Sequence, residues 1–190
     1  AVPMALIILN NPVRPQAKET FSYFAQQGVT VKVISGDNPQ TVSAVAREAG
    51  ILQAEKYMDG RELKEEDYDA AVEAYTVFGR VTPAQKKELI LALKRKGHTV
   101  AMTGDGVNDV LAMKQADCGI AMLSGARACN QVAQLVLLDS DFGAMPAIVA
   151  EGRRVINNIQ RAASLFLVKN IMSIFVALLS ACTGVTFPFS

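Results

Sequence analysis

Residues 99–109 read Thr99-Val-Ala-Met-Thr103-Gly104-Asp105-Gly106-Val107-Asn108-Asp109, and a short helical pattern, Val110–Gln115, follows at once. The apolar, β-branched run Thr99–Met102 predicts a strand, and the glycines predict a tight turn at its carboxyl end. Two acids four residues apart, with Asn108 between them, make a compact oxygen-rich loop where open parallel sheets bind ligands. Mg²⁺ takes carboxylate oxygens and retains several waters, so one direct carboxylate with supporting neighbours suffices for it. On spacing alone the loop reads either as such a site or as a structural turn with a capping Asp.

Outward from this stretch, short apolar runs alternate with helical patterns, as a parallel sheet with crossover helices requires. Further strands are expected near Ala5–Leu9, Thr30–Ile34, Thr76–Phe78, Cys118–Ala121 and Leu135–Leu138. Helices are expected over Pro15–Gln27, Pro39–Ala49 and Pro83–Lys96, each opening on a proline suited to the first turn, the first and third ending just before Gly28 and Gly97. The fold class is α/β, with helices on both faces of the sheet. In the second helix Val42, Val45, Ala46 and Ala49 are expected on the sheet side, with Gln40, Ser43, Arg47 and Glu48 toward water. The acidic stretch Asp59–Asp69 is charge-rich and irregular and reads as a solvated connection or a short exposed helix.

Two more positions draw chemical interest. Ser35-Gly36-Asp37 ends one predicted strand and opens the Pro39–Ala49 helix, whose N-terminus favours an anion. Asp37 reads equally well as an ordinary helix-capping acid. Lys86 sits in the first turn of its helix, where a cation opposes the dipole, so either a nearby anion explains it or it is a surface lysine. The sole histidine, His98, follows Gly97 and reads as a turn residue.

Composition excludes several classes. Nineteen basic against eighteen acidic residues, a net charge of +1, give no electrostatic case for nucleic acid. Cys118, Cys129 and Cys182 lack metal-ligand spacing and read as reduced structural thiols, which fits a cytosolic location for the soluble part. The opening residues, Ala-Val-Pro-Met, carry no signal-peptide pattern and read as a chain already in progress.

After Asp141 the character changes. A helical pattern runs from about Ala147 through Arg161 into Ala162–Phe189, where Lys169 is the only charge. Residues 171–187 carry none, close to the lower end of the about 17–25 residues that a membrane span takes. Arg153, Arg154 and Arg161 precede the apolar run, so the positive-inside bias puts the α/β part on the cytoplasmic side. A buried C-terminal helix of a soluble protein is the other reading.

With these residues in view, a family resemblance follows. Thr103–Lys114, TGDGVNDVLAMK, resembles the hinge signature TGDGVNDAPALK of P-type ATPases, departing at Val110, Leu111 and Met113. In the family's order stand Asn11-Pro12-Val13-Arg14, similar to its Asp-Pro-Leu-Arg, and Ser35-Gly36-Asp37, similar to its Thr-Gly-Asp. Val77–Lys86 is similar to its Phe-Ala-Arg-Val-x-Pro-x-x-Lys element, and Ala116–Met122 and Glu151–Arg154 continue the likeness. The resemblance covers essentially the whole chain.

The resemblance implies a partial haloacid-dehalogenase-like phosphorylation domain over residues 1–145, then stalk and transmembrane helix over 146–190. It implies that Asp105 is the Mg²⁺ ligand and that Asn108 and Asp109 support the site. Ser35 and Lys86 would hold the transferred phosphoryl group; Gly36, Asp37 and Arg80 would lie toward ATP. Asn11 in place of an Asp removes a charge from the nucleotide region. The implied activity is ATP hydrolysis through an aspartyl-phosphate coupled to cation transport across the cell membrane, with the long helix transmitting the chemistry. The family's nucleophile belongs to an Asp-Lys-Thr-Gly-Thr segment, and no Asp-Lys-Thr occurs in these 190 residues. The expected partners are therefore the nucleotide-binding, actuator and other membrane segments of the pump, together with lipid and the transported cation. This chain alone is expected to be inactive. A soluble phosphatase of the same superfamily and a non-catalytic truncated pump acting as a membrane interaction module are the alternatives, and the sequence does not select the ion.

Overall fold

The computed structural model describes residues 4 and 12–184. The expected strand Ala5–Leu9, the residue Asn11 and the end of the apolar run lie outside them. The chain divides after Met145 into two compact units.

The first unit runs α1 (Ala17–Gln26), β1 (Val33–Ile34), α2 (Pro39–Glu48), β2 (Tyr57–Asp59), α3 (Tyr68–Ala74), β3 (Val77–Gly79), α4 (Pro83–Arg95), β4 (Ala101–Gly104), α5 (Val110–Gln115), β5 (Cys118–Met122), α6 (Arg127–Val132) and β6 (Leu135–Leu137). All strand pairs are parallel. They form two three-stranded sheets among the described residues, in the orders β1-β3-β2 and β4-β5-β6.

The best-specified helix is α4. Thr82 accepts from the Gln85 N–H, and the Gln85 side chain accepts from the Thr82 N–H, a closed capping box. Pro83 fills the first turn, and Lys94 and Arg95 meet the negative end of the dipole. Such an N-cap contributes about 1 kcal/mol. In α2, Asn38 accepts from the Gln40 N–H ahead of Pro39, so the capping residue is Asn38, not Asp37.

Two neighbouring residues of α4 hold the unit together. Leu89 belongs to one apolar cluster with Leu63, Tyr68, Val72 and Phe78. Ile90 belongs to the next, with Met102, Met113, Ala121 and Cys129. Ile34 of β1 packs against both. Burying side chains of this size contributes about 1.5–3 kcal/mol each.

Three expectations change. The acidic stretch after residue 59 is not irregular throughout: β2 precedes it and α3 begins at Tyr68, whose ring is buried with Ala71 and Val72. With only three buried positions among many acids, the apolar period is too short to stand out. In α2, Ser43 is buried, not solvated, because its hydroxyl donates to the Ala54 carbonyl at 2.7 Å. Val45, expected on the sheet, is 47% exposed and borders a cleft of about 300 Å³ with Phe21 and Phe142.

The second unit is helical. Its helix, α7, runs without interruption over Met145–Thr183. It is long and apolar enough to cross a membrane, and its most apolar window has no residue buried within the protein. Leu165, Phe166, Ile171, Ile174, Phe175 and Leu178 are each at least 59% exposed. In water such a surface would be an aggregation hazard.

One ion pair ties α4 to the approach to β4. Asp117 binds the Lys94 ammonium at 2.8 Å and accepts from the Val100 N–H at 2.9 Å. The lysine contact first and the backbone N–H second hold its carboxyl below the ordinary value of 3.8. Because the folded-state value is depressed, the contribution is complete above the unfolded value and is lost as pH falls through the folded one. Both partners are 37% exposed, so solvent screens the pair and the effect is small. The expected outcome is an acid-side fall in the urea midpoint between pH 5 and pH 3 that is shallower in Asp117→Asn than in the parent protein.

Candidate functional site

The site gathers at the carboxyl ends of β1, β3 and β4. After β1, Ser35 N donates to the Phe78 carbonyl, and Arg80 N and Val81 N donate to the carbonyls of Asp37 and Ser35. These bonds fasten the Ser35–Asp37 loop to the end of β3 and so to the start of α4. Within the loop the Ser35 hydroxyl lies 3.3 Å from the Asp37 carboxylate and accepts from the Asp37 N–H. Gly36 is exposed between them.

The loop after β4 is held differently. Asp109 is buried, and its Oδ1 accepts from the Lys86 ammonium at 2.7 Å, with both side chains nine-tenths or so enclosed. Its Oδ2 accepts from the Gly106 N–H at 3.3 Å. The carboxylate lies flat against the end of β4: a Cβ on Gly104 would come within 2.5 Å of Asp109 Cβ and 3.0 Å of its Cγ. Only glycine fits there. The anion that accounts for Lys86 at a helix N-terminus is therefore Asp109, and the surface-lysine reading fails.

Asp105 contrasts with Asp109. Its side chain is exposed, and its carboxylate has no hydrogen bond or ion pair with any described residue. Asn108 is likewise exposed, without a side-chain partner among the described residues. The structure thus joins Lys86 to Asp109 and Ser35 to Asp37, and leaves Asp105 and Asn108 unengaged by any described residue. No group of three or more His, Cys, Asp or Glu side chains assembles among the described residues. An all-protein cage for zinc or calcium is therefore missing there, while a hard cation that keeps water is served by one free carboxylate beside a second, fixed one. The donors are oxygens, and the nearby thiol of Cys129 is buried, donates to the Gly106 carbonyl at 3.0 Å and is pushed up in pKa, chiefly by that burial. This donor set fits Mg²⁺.

Arg80 holds an unusual backbone, φ +52°, and its guanidinium meets Asp59 at 3.0 Å. Arg61 binds the same carboxylate, and its hydrogen bonds first, then that of Arg80, keep Asp59 well below the usual carboxylate range. Sequence reading did not find Asp59. Nor did it find Gly125, Ala126 and Cys129, which meet the Asp105–Gly106 backbone. Partners brought by the crossover from β5 to α6 leave no local spacing signal.

Residues 2–117 match the haloacid dehalogenase-like hydrolases, and the chain belongs to that family. The curated relatives it matches are calcium- or cation-transporting ATPases. The calcium-transporting ATPase CtpE of Mycobacterium bovis is 55% identical over 93% of this chain and 22% of its own length. CtpE of Mycolicibacterium smegmatis is 52% identical over 97% of this chain and 23% of its own. The probable cation-transporting ATPase exp7 of Streptococcus pneumoniae is 47% identical over 98% and 25%. Among solved structures, a zinc-transporting PIB-type ATPase in its E2.Pi state matches with a TM-score of 0.70 at 25% identity, over 93% of this chain and 24% of that one. The catalytic domain of the CPx-ATPase CopB-B matches at 0.56 and 26%, over 72% and 45%. The chain spans about a quarter of the length of the curated relatives it matches. The resemblance to P-type ATPases and the α/β fold expected from the residues are borne out.

Removing the cation from the Lys86–Asp109 pair leaves a buried charge, a loss of about 3–5 kcal/mol. Lys86→Met is expected to lower unfolding free energy in urea by that order, and adding Asp109→Asn in the same chain to recover part of it. Gly104→Ala, which forces Asp109 off the strand, is expected to cost about 1–3 kcal/mol in the same measurement.

Proposed function

We propose that this chain is the cation-binding part of the phosphorylation domain of an ATP-driven cation pump, followed by one of its transmembrane helices. The observation that carries the reading is the pairing of an unengaged Asp105 carboxylate with a fixed Lys86–Asp109 ion pair, all at the carboxyl ends of parallel strands. Asp105 would hold Mg²⁺, with Asp109 and Asn108 beside it. When bound, that ion supplies positive charge opposite the oxygens of the transferred phosphoryl group.

The chain's own residues do the rest. Lys86 adds a fixed cation, pre-oriented by Asp109, at the N-terminal turn of α4. Ser35 offers a hydroxyl and neighbouring N–H groups for phosphoryl oxygens. Gly36 lets ligand approach the backbone, while Asp37 and Arg80 face the nucleotide side. Charge placed in advance costs no reorganisation when the phosphoryl group moves.

The carboxylate that accepts the phosphoryl group comes, in this reading, from outside these 190 residues, so the chain alone does not turn over ATP. What supports this is the sequence, in which no Asp-Lys-Thr occurs. The cleft bounded by Tyr57, Tyr75 and Arg80, about 310 Å³, suits a nucleotide brought by a further domain. The membrane reading is supported by α7, and the basic residues Arg153, Arg154 and Arg161 ahead of its apolar part favour a cytoplasmic α/β unit by the positive-inside bias. The relatives' names favour calcium or another cation as cargo.

In the full-length protein Asp105→Asn is expected to abolish Mg²⁺-dependent labelling by γ-phosphate-labelled ATP, with expression and folding retained. Labelling at the parent level would overturn the assignment of Asp105.

A further inference from the structure

The Asp105 carboxylate has no partner among the described residues, yet its backbone does. Three contacts from the β5–α6 segment meet it. Ala126 N donates to the Asp105 carbonyl at 2.7 Å. The Cys129 thiol donates to the carbonyl of the next residue, Gly106, at 3.0 Å. Between these bonds Gly125 lies flat on Asp105: a Cβ there would stand 2.8 Å from Asp105 O, 3.0 Å from its Cα and 3.1 Å from its Cβ. The first two atoms are backbone, so they cannot swing aside as a flexible side-chain end would.

The segment itself is anchored. Leu123 N donates to the Leu137 carbonyl, Ser124 N to the Ser140 hydroxyl, and Asn130 Nδ2 to the Leu123 carbonyl. Cys129 is fully buried beside Met102 and Met113. The bracket is thus part of the second apolar cluster, and it reaches the loop from the side opposite Lys86 in sequence and in partners. Nothing else among the described residues hydrogen-bonds the Asp105 main chain from outside its own loop.

We propose that Gly125, Ala126 and Cys129 form a positioning bracket that fixes the main chain under Asp105, so that its otherwise unrestrained carboxylate is presented to the divalent cation. This rests on the reading of Asp105 as the cation ligand. None of the three touches the cation. They act through Asp105, as outer partners of a ligand do, and disturbing such partners commonly weakens metal binding by about 10- to 100-fold.

The bracket also explains a division of labour. Asp109 is immobilised through its side chain, by Lys86 and Gly106, whereas Asp105 is immobilised through its backbone alone. A side chain left free of protein partners keeps its lone pairs for a cation, and a fixed backbone limits the entropy lost when the cation binds.

The test uses the full-length protein in detergent, with Mn²⁺ as a paramagnetic hard-cation probe read by electron paramagnetic resonance. The signal lost in Asp105→Asn defines the site, separating it from any transport site. Gly125→Ala is expected to weaken that component about 10-fold while leaving its stoichiometry per folded protein unchanged. The ATP concentration for half-maximal labelling is expected to stay within about twofold, since the bracket does not touch the nucleotide side. Cys129→Ala, which leaves the Gly106 carbonyl unpaired, is expected to weaken the component several-fold, and Cys129→Ser, which restores a donor, to recover it. A merely structural role would lower the folded fraction, and hence stoichiometry, at unchanged affinity. Parent-like affinity in both Gly125→Ala and Cys129→Ala, with the component lost in Asp105→Asn, overturns the bracket and leaves the cation site standing. Retention of the whole Mn²⁺ signal in Asp105→Asn overturns the site reading and the bracket with it.

Discussion

The buried contact between Lys86 and Asp109 sets the terms for everything around it. An ammonium and a carboxylate taken out of water lose several kcal/mol of hydration each, and an ion pair at 2.7 Å offsets this only with good geometry and further hydrogen bonds. Here the geometry is imposed from both ends. Lys86 is held by the capping box that starts α4, and Asp109 by the Gly106 N–H and the bare face of Gly104. Because α4 also contributes Leu89 to one apolar cluster and Ile90 to the next, the pair joins the first sheet's helices to the loop after β4. Local charge and global packing depend on one helix.

How much of this the residues disclose depends on how local the cause is. The Thr103–Asp109 loop, the proline-led helices and five of the six described strands are legible because turn glycines, N1 prolines and β-branched runs act within a few residues. Asp105, Asp109, Lys86 and Ser35 stand out for the same reason. What escaped is non-local. Ser43 is buried because Ala54 supplies a carbonyl, and Val45 is half exposed because no described element covers that face of α2. α3 was hidden by composition: the acids around Tyr68 outweigh three buried positions. The Gly125–Cys129 contacts depend on a crossover, and no window of sequence contains both sides of them.

The second unit obeys different physics. In α7 the apolar side chains surround the helix instead of forming a stripe, so no soluble packing arrangement is encoded along it. A helix keeps all its backbone hydrogen bonds internal, which is the condition for entering hydrocarbon. Charge thins along it: Glu151 pairs with Arg154 at 2.8 Å in its first half, and beyond Arg161 Lys169 alone is charged. One continuous helix thus passes from a sequence suited to water to one suited to lipid, and with no break in its hydrogen bonding it is a stiff element able to carry displacement along its length.

The two loops that carry the candidate site residues are shaped in different ways. β1 spans only two residues and, among the described residues, pairs with β3 alone, yet it carries Ser35 at its tip. A ladder of two residue pairs could not hold so short a strand in register unaided; the bonds from Arg80 N and Val81 N back to the Ser35–Asp37 loop hold it there. The Ser35–Asp37 loop is therefore shaped by its bonds to the end of β3, and the Asp105 loop separately by its contacts with the β5–α6 segment. Groups held in place this way lose little freedom when a ligand arrives, which is the physical value of shaping a loop before it binds.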